Sequence, residues 1–195
     1  MKRRTVNGTA SSYFAAASVF LMLISLERSV YPILLAAAVL FHELGHVAMA
    51  YLVGASISGA GSGLYRLCLY YDPARLSYRK EAWICAGGVI FNLILAALST
   101  LFLPGDRAAF FLVSNLTSAA FNLIPLRVLD GGGLLRCFLL SCLPAERAEA
   151  WSRGISLFFT VFLFICSVYL QLSLGGSLSL FALSVYMIAD TALGE

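Results

Sequence analysis

The chain alternates between long apolar runs and shorter polar connections. A transmembrane helix needs about 20 consecutive apolar residues, and six runs approach that length. They cover residues 13–26, 31–53, 82–103, 108–124, 154–171 and 177–193. The first and fourth are short or weakly delimited. This pattern predicts an all-α membrane protein with about six transmembrane helices.

The longest connection, residues 54–81, follows a different pattern. Gly54, Gly59, Gly61 and Gly63 disfavour a helix, whereas the stretch GLYRLCLYYD is rich in strand-forming Leu and Tyr. We therefore predict a β-like loop whose open edge could accept a peptide as an additional strand. The alternative is an interfacial loop with its Tyr and Arg side chains among the lipid headgroups.

Composition excludes a water-soluble protein. Of the 195 residues, 61% are apolar and 12% are charged, with a mean hydropathy of +0.89. Soluble domains average about 45–50% apolar and about 25% charged residues. No hydrophilic block is long enough for a second domain, so we predict one membrane-embedded domain over residues 1–195. Five cysteines occur without a CxxC motif, and we interpret them as small packing residues.

The basic residues are distributed asymmetrically. With six spans, one side of the membrane receives both termini and the second and fourth connections. That side carries 11 Lys and Arg residues, at positions 2, 3, 4, 66, 75, 79, 80, 127, 136, 147 and 153. The other side carries only Arg28 and Arg107. The positive-inside rule therefore places both termini of this multi-pass cell-membrane protein in the cytoplasm. The basic N-terminal segment is expected to be retained, although it resembles a signal peptide.

The second run carries ionisable side chains, which are costly in lipid. Its HELGH segment contains both histidines of the chain, His42 and His46, together with Glu43. Residues i and i+4 share one helix face, so the two imidazoles can hold one zinc ion. Glu43, rotated by about 100°, would lie beside the metal and exchange protons with water and a leaving amine. The site is predicted in the cytoplasmic half of the membrane. The alternative is a pair of structural histidines.

A third metal ligand must come from another part of the chain. Catalytic zinc usually has three protein ligands and one open position, and no further His exists. Two membrane-associated aspartates are candidates, Asp130 and Asp190. Asp130 is favoured, because Pro125 and glycines 131–133 interrupt a helix and let the backbone approach a ligand. Asp130 could also act as the N-cap of the segment that follows.

The segments HELGH and NLIPLRVLDGG together resemble the site-2 proteases, a family of intramembrane zinc metalloproteases. The family pattern is HExxH with a distant NxxPxxxLDG. The second motif is matched by Asn122, Pro125, Leu129, Asp130 and Gly131. The resemblance covers the whole chain as a bare six-span core.

The resemblance implies a role for each matched residue. His42, His46 and Asp130 would bind one Zn²⁺ per chain, and Glu43 would be the catalytic base. Asn122 is expected to stabilise the oxyanion or hold a substrate carbonyl; the alternative is a structural interhelical bond. The loop between the second and third spans would be re-entrant, as in relatives.

The nearest resemblance is to the compact branch that contains the sporulation sigma-factor-processing proteases. Like that branch, this chain shows no PDZ domain; the usual CBS domain is also not expected. In the third run, Ala86, Gly87 and Gly88 stand where relatives often have Ala-Gly-Pro. These glycines would let the helix approach the zinc helix closely. Asn92 would either bond into the site or serve packing alone.

The sequence therefore predicts an intramembrane zinc metalloendopeptidase acting in regulated intramembrane proteolysis. Its substrates would be membrane-embedded or membrane-adjacent segments of proteins. The lipid bilayer, a transmembrane substrate and a membrane regulatory protein are the expected partners, with no nucleic acid. The alternative is a membrane metal-transport protein that uses the same His and Asp ligands, which is disfavoured because no His-rich loop is present.

Overall fold

A computed structural model describes residues 30–55, 57–63, 66–71 and 77–174, with the isolated residues 185 and 188. The described elements are α1 (Tyr31–Leu52), β1 (Ile57–Gly63), β2 (Arg66–Tyr71), α2 (Tyr78–Phe102), α3 (Gly105–Asn122), α4 (Asp130–Cys142) and α5 (Ala145–Leu174). The first predicted run, residues 13–26, lies outside the described residues, as does nearly all of the sixth, residues 177–193.

Three of the described helices are long and apolar enough to cross a membrane: α1, α2 and Ala145–Ser173 of α5. They correspond to the second, third and fifth predicted runs. The fourth run forms α3, which begins with Gly105, Asp106 and Arg107 and is less apolar than the other three. The chain therefore has the helices of a membrane protein, and the count of six spans stays a prediction.

The ends of α1 follow from its sequence. Pro32 lies in the first turn, where its missing N–H costs nothing because those donors have no partner within the helix. The helix ends before Gly54, whose φ of +70° suits a residue without a Cβ. The Gly54 N–H donates to the Tyr51 carbonyl at 3.0 Å, and the Ala55 N–H donates to the Ala50 carbonyl at 2.9 Å. The helix termination is thus hydrogen-bonded.

The described residues form two compact units, one made of those up to residue 77 with residues 87–119, the other made of residues 78–86 with those from residue 120 onward. In the first unit, α1 packs on the part of α2 that follows Ala86. A Cβ at Gly87 would lie 2.5 Å from the Gly45 carbonyl oxygen, so the two helices touch through backbone. Leu34, Ala38 and Phe111 form a buried apolar cluster within this unit.

The long connection of the first unit folds as a hairpin. β1 and β2 pair antiparallel, with Ala60 opposite Leu69 and Gly63 opposite Arg66, and with an irregularity between Ile57 and Gly59. β2 approaches α1. Strands therefore form where the sequence predicts a β-like loop, while re-entry of this loop into the membrane stays a prediction.

The second unit contains α4 and α5. Pro144 precedes α5, and its carbonyl accepts a hydrogen bond from the Ala148 N–H at 3.0 Å. From the segment LPAERAEAW a helix start after Pro144 is predicted, and the fifth apolar run covers residues 154–171. A helix does begin after Pro144, and it continues through the run as one helix of 30 residues, because a single Gly154 within an apolar helix does not interrupt it. The Arg136 guanidinium pairs with Glu149 at 2.6 Å and joins α4 to α5. The predicted turn at residues 175–176 lies outside the described part of the chain.

Candidate metal centre

One face of α1 presents both histidines. His42 and His46 are 6% and 7% exposed, and their ring centroids lie 5.0 Å apart with the planes at 84°. The same face buries Leu34, Ala38, Gly45 and Ala50, a 3.6-residue periodicity that turns the imidazoles into the protein. The predicted pairing of two imidazoles on one helix face is confirmed.

Gly88 of α2 lies directly against the two rings. A Cβ at this position would lie 2.5 Å from Cε1 and 2.6 Å from Nε2 of His42, and 2.7 Å from Nε2 of His46. Ordinary contacts of a Cβ are about 3.4 Å or longer, so no other residue fits here without moving a ring. The third-run glycines thus permit close packing, as predicted, and Gly88 leaves room for the imidazoles themselves.

Asp130 occupies the first position of α4 and is 3% exposed. The N-cap is Leu129, which makes no side-chain capping bond. The interpretation of Asp130 as an N-cap is therefore wrong, because its own backbone is already helical. Asp190, the alternative ligand, lies outside the described residues.

The glycines after Asp130 do not break a helix, contrary to the prediction; they form the first turn of α4. A Cβ at Gly131 would lie 2.6 Å from the Ile124 carbonyl oxygen, and one at Gly132 would lie 2.5 Å from the Leu126 carbonyl carbon. The non-helical connection between α3 and α4 lies earlier, at residues 123–129, where Pro125 prevents a helix. Glycines are needed because the first turn of α4 packs on the backbone of this connection.

His42, His46 and Asp130 each offer one ligand atom, and these atoms all lie within 4.8 Å of one another. All three residues are buried. Two imidazole nitrogens and one carboxylate oxygen are a donor set that suits zinc and leaves a position open. The three side chains could therefore hold a metal ion, as the sequence predicts.

The remaining predicted residues differ in placement. Glu43, on α1, and Asn122, the last residue of α3, are both half-buried, and their chemical roles stay predictions. Asn92 of α2 is fully buried. Neither amide atom of Asn92 has a hydrogen-bond partner among the described residues. Its predicted bond into the site is therefore not formed with any described side chain.

Of the described cysteines, Cys137 is buried, Cys85 and Cys166 are half-buried and Cys142 is exposed, so the interpretation as packing residues fits the first three. Cys85, Cys137, Cys142 and Cys166 form no disulfide. A hydrogen bond with Cys85, together with burial, raises the pKa of the Cys137 thiol. A thiol held neutral in this way is a poor metal ligand and a poor nucleophile.

Two buried polar residues outside the ligand set have no clear sequence signal. Ser156 of α5 accepts a hydrogen bond from the Arg127 N–H at 3.0 Å, 29 residues away in the chain. Asn115 of α3 is fully buried and donates to the Phe111 carbonyl at 2.8 Å. A polar residue in an apolar run suggests burial against protein, but the run alone does not identify its partner.

The comparisons with known proteins agree with this description at the level of the fold. No protein-family model and no curated protein matches the sequence. Among solved structures, the chain is similar to a site-2 protease from Methanocaldococcus jannaschii, with a TM-score of 0.65 and 20% sequence identity. The similarity covers 99% of this chain and 94% of that one. The chain therefore has the fold of a site-2 protease over nearly its whole length.

Proposed function

We propose that this protein is an intramembrane zinc metalloendopeptidase of the site-2 protease type. The observation that supports it is the convergence of His42, His46 and Asp130, whose ligand atoms lie within 4.8 Å of one another. Two of these residues belong to a helix that is long and apolar enough to cross a membrane. Buried ionisable groups in such a helix are costly and mark functional sites.

The donor set and its surroundings fit zinc. Two nitrogens and one oxygen leave one coordination position open, and the bare backbone of Gly88 accommodates both imidazoles. When bound, zinc supplies a Lewis acid that polarises a carbonyl and lowers the pKa of water to about 7.

Glu43 is the proposed general acid–base residue. It follows His42 on α1 and is half-buried, so its carboxylate is close to the histidine pair without occupying the same helix face. The carboxylate accepts a proton from the attacking water and then delivers it to the nitrogen of the departing amine, which balances the protons of peptide hydrolysis. Asn122 holds the carbonyl of the scissile bond through its amide N–H.

The substrate is a membrane-embedded or membrane-adjacent protein segment, cleaved toward the cytoplasmic leaflet. A helical substrate buries its peptide groups in hydrogen bonds, so it must become extended before attack. In the β1–β2 hairpin each strand has one edge that the other strand does not cover, and an extended segment can add to such an edge. A membrane protein that regulates access to the site is a further proposed partner.

The assay for this function uses the purified protein in liposomes with a transmembrane substrate. Glu43→Gln is expected to lower cleavage by at least about 100-fold, because general acid–base catalysis contributes about 10²–10⁴, while the zinc content stays at one per chain. Glu146→Gln, an exposed position at the start of α5, is the matched control and should cleave normally.

The outcomes separate the peptidase from a transporter. Cleavage by Glu43→Gln at the wild-type rate would refute the assignment of the base. Zinc flux into liposomes without cleavage of any transmembrane substrate would instead identify a metal-transport protein that uses the same ligands.

A further inference from the structure

The connection that precedes Asp130 is ordered by local hydrogen bonds. The Ile124 N–H donates to the Phe121 carbonyl at 3.1 Å and the Leu129 N–H to the Leu126 carbonyl at 2.9 Å. Leu126 is 1% exposed. A seven-residue connection that is so regularly bonded behaves as a rigid body rather than a flexible loop.

The same connection is packed against the first turn of α4. Cβ atoms at Gly131 and Gly132 would overlap the backbone at Leu123 and Leu126. Because no side chain separates the two segments, a displacement of the connection displaces the start of α4 with it. The position of the connection therefore sets the position of Asp130.

A hydrogen bond to α5 fixes this connection in place. The Arg127 N–H donates to the Ser156 hydroxyl oxygen at 3.0 Å. Ser156 is 1% exposed, so water has little access to the hydroxyl that accepts this bond. Thr160, one turn later, donates to the Ser156 carbonyl at 2.8 Å and makes no such link to the connection.

We propose that Ser156 is a positioning residue for the metal centre. Its hydroxyl holds the connection of residues 123–129, and through it the Asp130 carboxylate, in the place where that carboxylate completes the ligand set. This inference rests on the proposed function, since it assigns Asp130 to the metal. Ser156 itself contacts neither the metal ligands' donor atoms nor the substrate; it acts through backbone.

The test is zinc affinity, measured on the full chain in detergent by competition with a chromogenic chelator. Ser156→Ala is expected to weaken zinc binding by about 10- to 100-fold, as loss of a group that orients a ligand typically does. Ser156→Thr keeps the hydroxyl and should restore binding to within about threefold. Ser152→Ala is the matched control: Ser152 is also buried, one turn earlier, and makes no hydrogen bond to residues 123–129 within the described chain.

A double-mutant cycle separates positioning from general destabilisation. In an Asp130→Ala background, Ser156→Ala should cause no further loss of zinc affinity, because the residue through which it acts is gone. An equal loss in both backgrounds, or wild-type affinity in Ser156→Ala, would overturn the proposal. The proposed function fails differently, by an absence of peptide cleavage in the wild type, and the zinc titrations decide the role of Ser156 in either case.

Discussion

Gly88 is the residue at which one added carbon would touch both histidines. The Cβ of Gly88→Ala would lie 2.5 Å from His42 Cε1 and 2.7 Å from His46 Nε2, so at least one ring must shift by about 1 Å. A displacement of that size in a catalytic site costs about 100-fold in rate. We expect cleavage to fall by at least that factor and the zinc content of the purified protein to decrease.

Gly154→Ala is the control for this substitution. Nothing lies within 4 Å of a Cβ at Gly154, and alanine is the better helix former by about 1 kcal/mol. It should therefore retain zinc and activity with unchanged or slightly increased stability. Full zinc content and full activity in Gly88→Ala would mean that the imidazoles do not need the space that this glycine leaves.

Asn92 is costly for a different reason, because its amide is buried without hydrogen-bond partners among the described residues. Burial of an amide without partners costs about 1–3 kcal/mol. Asn92→Leu, similar in size, is expected to raise the free energy of unfolding by about that amount, measured by chemical denaturation in detergent. Asn115→Leu should gain less, because it loses the bond to the Phe111 carbonyl. A loss of stability in Asn92→Leu would contradict this expectation.

At the scale of elements, the first turn of α4 depends on close backbone packing. A Cβ at Gly132 would lie 2.5 Å from the Leu126 carbonyl carbon and 2.9 Å from the Arg127 nitrogen, and backbone of this kind cannot rotate away. Gly132→Ala is expected to lower the free energy of unfolding by about 1–3 kcal/mol, as overpacking does, and to reduce zinc content.

Gly133→Ala provides the comparison within the same turn. Its nearest neighbour would be the Cys85 Sγ at 2.7 Å, a side-chain atom that can change rotamer at lower cost. Thermal unfolding with and without zinc should therefore show a smaller shift for Gly133→Ala than for Gly132→Ala. Equal shifts would contradict the assignment of the strain to the Leu126 backbone.

The glycines of α4 also show where sequence reasoning fails at this scale. Apolar runs of helix length predict α1 nearly to its ends and locate α2 and α5, since burial and lipid dominate over local preference, although α5 begins well before its predicted run. Three successive glycines disfavour a helix by about 1 kcal/mol each relative to alanine, so a break is the local expectation. Tertiary packing against residues 123–129 reverses that preference, and no local pattern reveals it.

The residues discussed for the site also differ in whether the local sequence identifies them. His42 and His46 are four residues apart on one helix, so periodicity alone pairs them. Asp130 is one of two candidate aspartates on local composition, and the motif that accompanies HELGH assigns it to the metal. Ser156 belongs to no recognisable motif. A serine hydroxyl that accepts a hydrogen bond from a distant backbone N–H does not require any particular spacing in the sequence.

At the scale of the whole molecule, the number of spans depends on α3. By composition α3 is not among the three described helices that are apolar enough to span, whereas the charge distribution predicts a crossing between Arg107 and Arg127. If α3 spans, residue 106 lies outside and residue 147 lies in the cytoplasm. Single cysteines at these two exposed positions, in a background with the native cysteines replaced by alanine, distinguish the two arrangements.

In intact cells, a membrane-impermeant maleimide should label Asp106→Cys, and Arg147→Cys should react only after permeabilisation. The physical reason is the excess of 11 basic residues over two, which opposes translocation of the connections that carry them. Labelling of both positions from the same side would mean that α3 lies along the membrane or within the protein. With the other five runs spanning as predicted, the number of spans would then be odd, and the two termini would lie on opposite sides of the membrane.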